Sequence, residues 1–183
     1  MSEKPKILTR KVVAQSQLFG IEAMDLEFSN GAIRRYERLM RGKGSHGAVL
    51  IVPMLDNETV LLIREYSGGV DRYELGLAKG KIDAGETALQ AANRELKEEV
   101  GYGAHKLRQI SSFSIAPSYM EHMTEIILAQ DLYPEKLPGD EPEELQVIPW
   151  KLTNLTELVG SGECTEARSI AALYMVRDYM QQR

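Results

Sequence analysis

The chain has a single cysteine, Cys164, in 183 residues. That excludes an internal disulfide and any metal site built on several thiolates. Cys164 reads as a reduced, semi-buried packing residue of a cytosolic protein. No run reaches the ~18 apolar residues needed to cross a bilayer. The opening Met1-Ser2-Glu3-Lys4-Pro5-Lys6 leads into no long apolar segment and is not a signal peptide. No membrane partner is expected, and the localisation read from these features is cytoplasmic. The sequons at Asn57 and Asn154 then carry no meaning, because glycosylation needs secretion.

Positive charge is also in short supply. Twenty-two basic residues against 27 acidic ones leave a net charge of −5. Non-specific affinity for phosphate backbones needs a basic surface, so no nucleic-acid partner is expected. A small phosphate-bearing molecule is not excluded, because metal ions can supply the missing positive charge. There is no internal repeat and no low-complexity tract. Hydrophobic residues at 43 % and charged residues at 27 % give the mix of a globular protein. The length is about that of one domain, large enough to bury about 70 % of the extended chain's surface.

The first forty residues read as strands: Ile7 to Val13, Phe19 to Phe28 and Ile33 to Met40. The last two flank Ser29-Asn30-Gly31, a strong hairpin signal. This meander could bury little alone and is expected to lie against the rest of the chain or a second copy. Gly42 to Gly47 spells G-x-G-x-x-G, but Ala48 to Val52 follows at once as strand material. A dinucleotide fingerprint would open a helix there, so the segment reads as a connector. Further strands are expected at Val49 to Leu55, Thr59 to Tyr66, Ile110 to Ile115, Met123 to Leu128 and Leu145 to Trp150. Helices are expected over Ala88 to Val100 and Thr165 to Met180. The fold class is α/β, or α+β: a mixed sheet sandwiched by helices.

The chemistry concentrates between Gly80 and Tyr102. Thr87 and Gln90 form a capping-box pair that starts a helix at Ala88, and Gly101 stops it. Leu89, Ala92, Leu96 and Val100 fall within roughly 80° of one another, on a stripe facing a core. Glu95, Glu98 and Glu99 occupy an adjacent sector at i, i+3 and i+4 spacing, where side chains meet. Like charges repel at these spacings, and the last helical turn prefers cations. A two-glycine loop, Gly80 to Gly85, precedes them and can turn backbone carbonyls toward the same point. Hard divalent cations take oxygen ligands, and Mg²⁺ sits on a few carboxylates while keeping waters and substrate phosphates.

The pattern Gly80-x₅-Glu86-x₇-Arg94-Glu95-Leu96-x-Glu98-Glu99-x-Gly101 resembles the Nudix box at every fixed letter. Tyr102 replaces the final aliphatic residue, a change that concerns packing. Nudix hydrolases cleave nucleoside diphosphates linked to another moiety. The resemblance implies an α/β/α sandwich with a mixed sheet, plus a small N-terminal antiparallel strand region. It implies Mg²⁺, or Mn²⁺ in its place, on Glu95, Glu98, Glu99 and the backbone carbonyl of Lys79. Glu86 and Arg94 would hold loop and helix in register by an ion pair. Gly80, Gly85, Glu86 and Gly101 are its structural positions, and Glu98 and Arg94 belong to its catalytic set.

Outside the box, Ile63-Arg64-Glu65-Tyr66, Tyr73-Glu74-Leu75-Gly76 and Ala116-Pro117-Ser118-Tyr119 are similar to the branch acting on ADP derivatives. That similarity implies hydrolysis of ADP-ribose, diadenosine triphosphate and NADH with release of AMP. It also implies a homodimer in which residues 1–44 exchange strands and complete the partner's adenine pocket, while residues 45–183 form the hydrolase domain. Tyr36, and second Phe19, would stack on adenine. Arg41 and Arg64 would meet pyrophosphate and ribose, and Glu74 would accept from the adenine amino group. The general base would come from the acidic loop Gly139 to Leu145, as Glu141 or Glu143. The alternatives are a non-catalytic ADP-ribose or NAD sensor, and a Nudix hydrolase of another nucleotide class.

Overall fold

The computed structural model describes residues 3–40 and 46–181. Among these residues the chain forms ten strands in three sheets, and three helices. They group into two compact units, residues 1–45 with 114–123, and residues 46–113 with 124–183.

In the first unit, β1 (Lys6–Gln15), β2 (Gly20–Glu27) and β3 (Ile33–Leu39) form an antiparallel meander. The Asn-Gly signal produces a three-residue turn. Phe28 N–H donates to the Ala32 carbonyl at 2.9 Å, and Ala32 N–H donates to the Asn30 side chain at 3.1 Å. Gly31 takes φ 79°, the left-handed conformation that such a loop requires of its last residue. Every residue of β1 is exposed, as expected where three strands have too little apolar area to bury both faces. Residues 114–123 are fastened to β3. Leu39 N–H donates to the Tyr119 carbonyl at 2.8 Å, Glu121 N–H donates to the Leu39 carbonyl at 3.0 Å, and Arg38 pairs with both Glu121 and the buried Glu22.

The second unit holds a mixed sheet in the order β7-β4-β9-β8. In it β4 (Ala48–Pro53) runs parallel to β9 (Met123–Pro134) and antiparallel to β7 (Lys79–Lys81), with β8 (Tyr102–Ser114) at the far edge. An antiparallel sheet places β5 (Thr59–Ser67) between β10 (Gln146–Lys151) and β6 (Arg72–Gly76). Pro149 is tolerated because β10 is an edge strand. The helices are α1 (Ala88–Glu95), α2 (Leu155–Gly160) and α3 (Ala167–Gln181).

Strand periodicity divides the core in two. Val49, Ile51, Leu61 and Ile63 pack with Ala91, Ala92, Leu96 and Ile127. Leu50, Val52, Val60 and Leu62 pack with Leu155, Leu158, Leu173 and Val176. Strand β4 is therefore buried on both faces, which is why it reads as an unbroken apolar run. Cys164 belongs to the second of these clusters and is fully buried rather than semi-buried; burial pushes its thiol up to about 11.

Three local expectations change. Leu89 is 39 % exposed and does not face the core. The buried face of α1 is centred on Ala91 and Ala92, whose small side chains allow the helix to lie against β4 and β7. The helical segment does not stay regular to Val100. From Leu96 to Val100 it widens into a π turn, closed by Gly101 N–H on the Leu96 carbonyl at 3.1 Å with Gly101 at φ 81°. Strands β6 and β7 and helix α2 were not anticipated from the sequence.

Candidate active site

Strand β7, the loop that follows it and α1 build the site. Gly85 turns the loop at φ 88°, and Thr87 caps the helix reciprocally with Gln90. Asn93 ties α1 to β8 by accepting from Ala104 N–H at 3.0 Å. Gly80 has an ordinary φ, and its requirement is steric: a Cβ there would sit inside the Glu95 carboxyl group.

Arg94 is the hub. Its Nε and Nη2 donate to the two oxygens of Glu86 at 2.9 and 3.0 Å. Its Nη1 donates to Glu95 at 2.8 Å and to Glu98 at 2.9 Å, and Nη2 also reaches the Lys81 carbonyl at 3.0 Å. Glu86 in turn accepts from Asp83 N–H at 3.0 Å. One planar guanidinium thus joins loop, strand and two box carboxylates, which a lysine could not do. The Arg94 hydrogen bonds hold the Glu86 carboxyl below the usual carboxylate range.

Glu99 is 6 % exposed and accepts from Lys79 N–H at 3.2 Å. Burial pushes its carboxyl up to about 8; the Lys79 ammonium opposes that shift, and the charges of Glu95 and Glu65 add to it. Burial also raises Glu95, against the pull of Arg94, and the charges of Glu98 and Asp140 add to it. The Lys79 ammonium forms an ion pair with Glu65.

A cavity of about 520 Å³ is lined by Lys79, Glu95, Glu98, Glu99, Asp140 and Glu141, among others. Burial and the negative charges of Glu65 and Asp140 raise the Glu141 carboxyl. Glu143 lines the neighbouring cavity instead and accepts a 2.7 Å hydrogen bond from the Tyr73 hydroxyl.

The remaining candidates lie elsewhere. Glu74 is buried, its oxygens accept from Arg72 and from the Thr165 hydroxyl and N–H, and it lines a separate, small cavity of about 40 Å³. Arg64 pairs with Glu163 at 3.3 Å. In the first unit Tyr36 is 44 % exposed beside Phe28, and Phe19 is 57 % exposed. Arg41 lies outside the described residues. Sequence reasoning did not single out Glu65 or Asp140. Both stood inside stretches already noted, but nothing in their spacing set them apart from solvated acids.

A NUDIX domain family model matches residues 44–173, and a model described as the NudE-type Nudix hydrolase N-terminal domain matches residues 5–38. The chain belongs to the NudE-type Nudix hydrolases. This Nudix hydrolase is 49 % identical to the ADP compounds hydrolase NudE of Escherichia coli (strain K12), over 98 % of this chain and 95 % of that protein. It is 29 % identical to the ADP-ribose pyrophosphatase of Bacillus subtilis (strain 168), over 92 % of each. A crystal structure of an ADP compounds hydrolase superposes with a TM-score of 0.90 at 48 % identity, covering 100 % of this chain and 97 % of that one. Among the described residues no helix is long and apolar enough to cross a membrane.

Nudix hydrolases typically depend on a divalent metal. Among the described residues no three acidic side chains converge as a formed metal site, because Arg94 engages Glu95 and Glu98 while Glu99 turns to Lys79 N–H. The donor set nonetheless fits a hard cation. Six carboxylates line one cavity, and one of them, Glu99, is buried beside a backbone donor.

Proposed function

We propose that this Nudix hydrolase cleaves the pyrophosphate bond of ADP derivatives such as ADP-ribose, diadenosine triphosphate and NADH, releasing AMP. The observation that carries this reading is that Glu95, Glu98, Glu99 and Glu141 line one cavity. The likeness over nearly the whole chain to proteins named ADP compounds hydrolase supports the substrate class.

Glu95, Glu98, Glu99 and the Lys79 carbonyl would hold Mg²⁺, or Mn²⁺ in its place. The bound cation would neutralise pyrophosphate charge and acidify a water. Arg94 holds Glu95 and Glu98 from behind and fixes the loop through Glu86. Glu141 accepts the proton of the attacking water. Its place in the carboxylate cavity and its raised affinity for a proton support it over Glu143, whose carboxylate is engaged by Tyr73. The exposure of Tyr36 and Phe19 supports a stacking role toward adenine in a homodimer. Arg41 and Arg64 remain the candidates for phosphate and ribose. Nothing in the packing of Glu74 supports an adenine contact.

The test is product analysis. Purified protein with Mg²⁺ should release AMP from ADP-ribose, NADH and diadenosine triphosphate but no dAMP from dATP. Binding of ADP-ribose without turnover would point to a sensor instead.

A further inference from the structure

The acidic loop between β9 and β10 is tied down at its two ends by different means. On the entry side Leu137 N–H donates to the Lys97 carbonyl at 3.2 Å, and the Lys136 ammonium donates to the Glu98 carbonyl at 2.7 Å. These bonds fasten the loop to the π turn that carries the box glutamates. On the exit side the Tyr73 hydroxyl donates to Glu143 Oε1 at 2.7 Å. Among the described residues this is the hydrogen bond that ties residues 138–144 to a strand. Between the two ties stand Gly139-Asp140-Glu141-Pro142, and Pro138 and Pro142 have no N–H to offer. The place of Glu141 therefore depends on both ends being held.

Tyr73 is built to hold one of them. It sits on β6 in register with Tyr66 of β5, and the two rings meet edge to face at 5.6 Å. The Tyr66 hydroxyl is itself anchored, donating to Asp71 at 2.6 Å. Tyr73 is 50 % exposed, yet its hydroxyl is spent on the loop. The same hydrogen bond holds the phenol above its usual range.

Resting on the reading that Glu141 is the base, we propose that Tyr73 is a positioning residue. Its hydroxyl, acting through Glu143, holds the acidic loop so that Glu141 faces the carboxylate cavity. Tyr73 touches no reacting atom in this assignment, and Glu143 is a tether rather than a base.

The experiment combines steady-state kinetics on ADP-ribose with amide hydrogen exchange. Tyr73→Phe should lower kcat about three- to tenfold, the range of one ordinary net hydrogen bond, with KM within about twofold of the wild type. Glu143→Ala should fall to the same level. Glu143→Gln, which keeps an acceptor oxygen, should lose less than Glu143→Ala. The double variant Tyr73→Phe with Glu143→Ala should be no worse than either single change. Exchange across residues 139–145 should quicken in Tyr73→Phe while that of α1 is unchanged. An unchanged kcat, a rise in KM alone or additive losses would overturn the proposal. Unchanged loop exchange would overturn it whatever the activity. A wild type that does not turn over ADP-ribose would refute the hydrolase reading separately, and the exchange measurement would still decide the tether.

Discussion

The Glu95 carboxylate occupies the place where a side chain on Gly80 would stand. This is a requirement for absence, and it links the first fixed residue of the box to the first of the three carboxylates assigned to the cation. Gly80→Ala should leave the fold intact, because the atoms nearest the added Cβ are the end of one flexible side chain, Glu95. It should nonetheless lower kcat about a hundredfold, the scale of a misplaced reacting group. Kinetics paired with circular dichroism check this, and full activity would show that Glu95 need not sit there.

Glu98 lines both neighbouring cavities and is engaged by Arg94. Glu98→Gln should reduce turnover by at least about a hundredfold, since loss of a residue that merely supports a metal ligand already costs about 10–100-fold. The melting temperature should change little. Retained activity would contradict the metal assignment.

Arg94 binds Glu86 in bidentate fashion while also holding Glu95 and Glu98. Arg94→Lys keeps the charge but loses the fork. It should cost about 1–3 kcal/mol of stability, read by denaturant titration, and lower kcat at the same time. A stable, fully active lysine variant would show that charge alone suffices.

Glu74 gives a pH prediction. Burial pushes its carboxyl up, but hydrogen bonds from Thr165 and Arg72 outweigh that and leave it below the ordinary value of 4.5. A depressed folded value means that the stabilisation is fully present above the unfolded value. It is lost as pH falls through the folded one. The wild type should therefore lose stability below about pH 4.5. Glu74→Gln should be less stable by about 2 kcal/mol at neutral pH and show a shallower acid limb. Parallel acid limbs would remove Glu74 from this role.

The first unit leaves Ile7, Val12 and Ile33 exposed on its three-stranded sheet and Phe19 exposed in the β1–β2 turn. If a second copy covers them, sedimentation should give twice the chain mass, and Val12→Glu should shift it toward one chain with loss of activity. A monomeric, fully active wild type would end the dimer reading.

The box helix was legible because its signals are local. Thr87, Gln90 and Gly101 act on their own backbone, and each took its expected role. The unbroken apolar runs of β4 and β5 were legible for the same reason. What escaped was decided by tertiary contact. Strand β7 has three residues around a glycine and exists because β4 pairs with it. Leu89 lost its expected place to Ala91 and Ala92 because close approach to β4 and β7 favours small residues. The two ends of the acidic loop look alike in sequence. Glu141 and Glu143 separate only once Tyr73 is seen to hold one of them.

The most direct measurement is AMP release from ADP-ribose, followed with Mg²⁺ present and after chelation. The account predicts AMP and ribose 5-phosphate in the first case and neither in the second. ADP-ribose that binds tightly yet stays intact with Mg²⁺ present would contradict it.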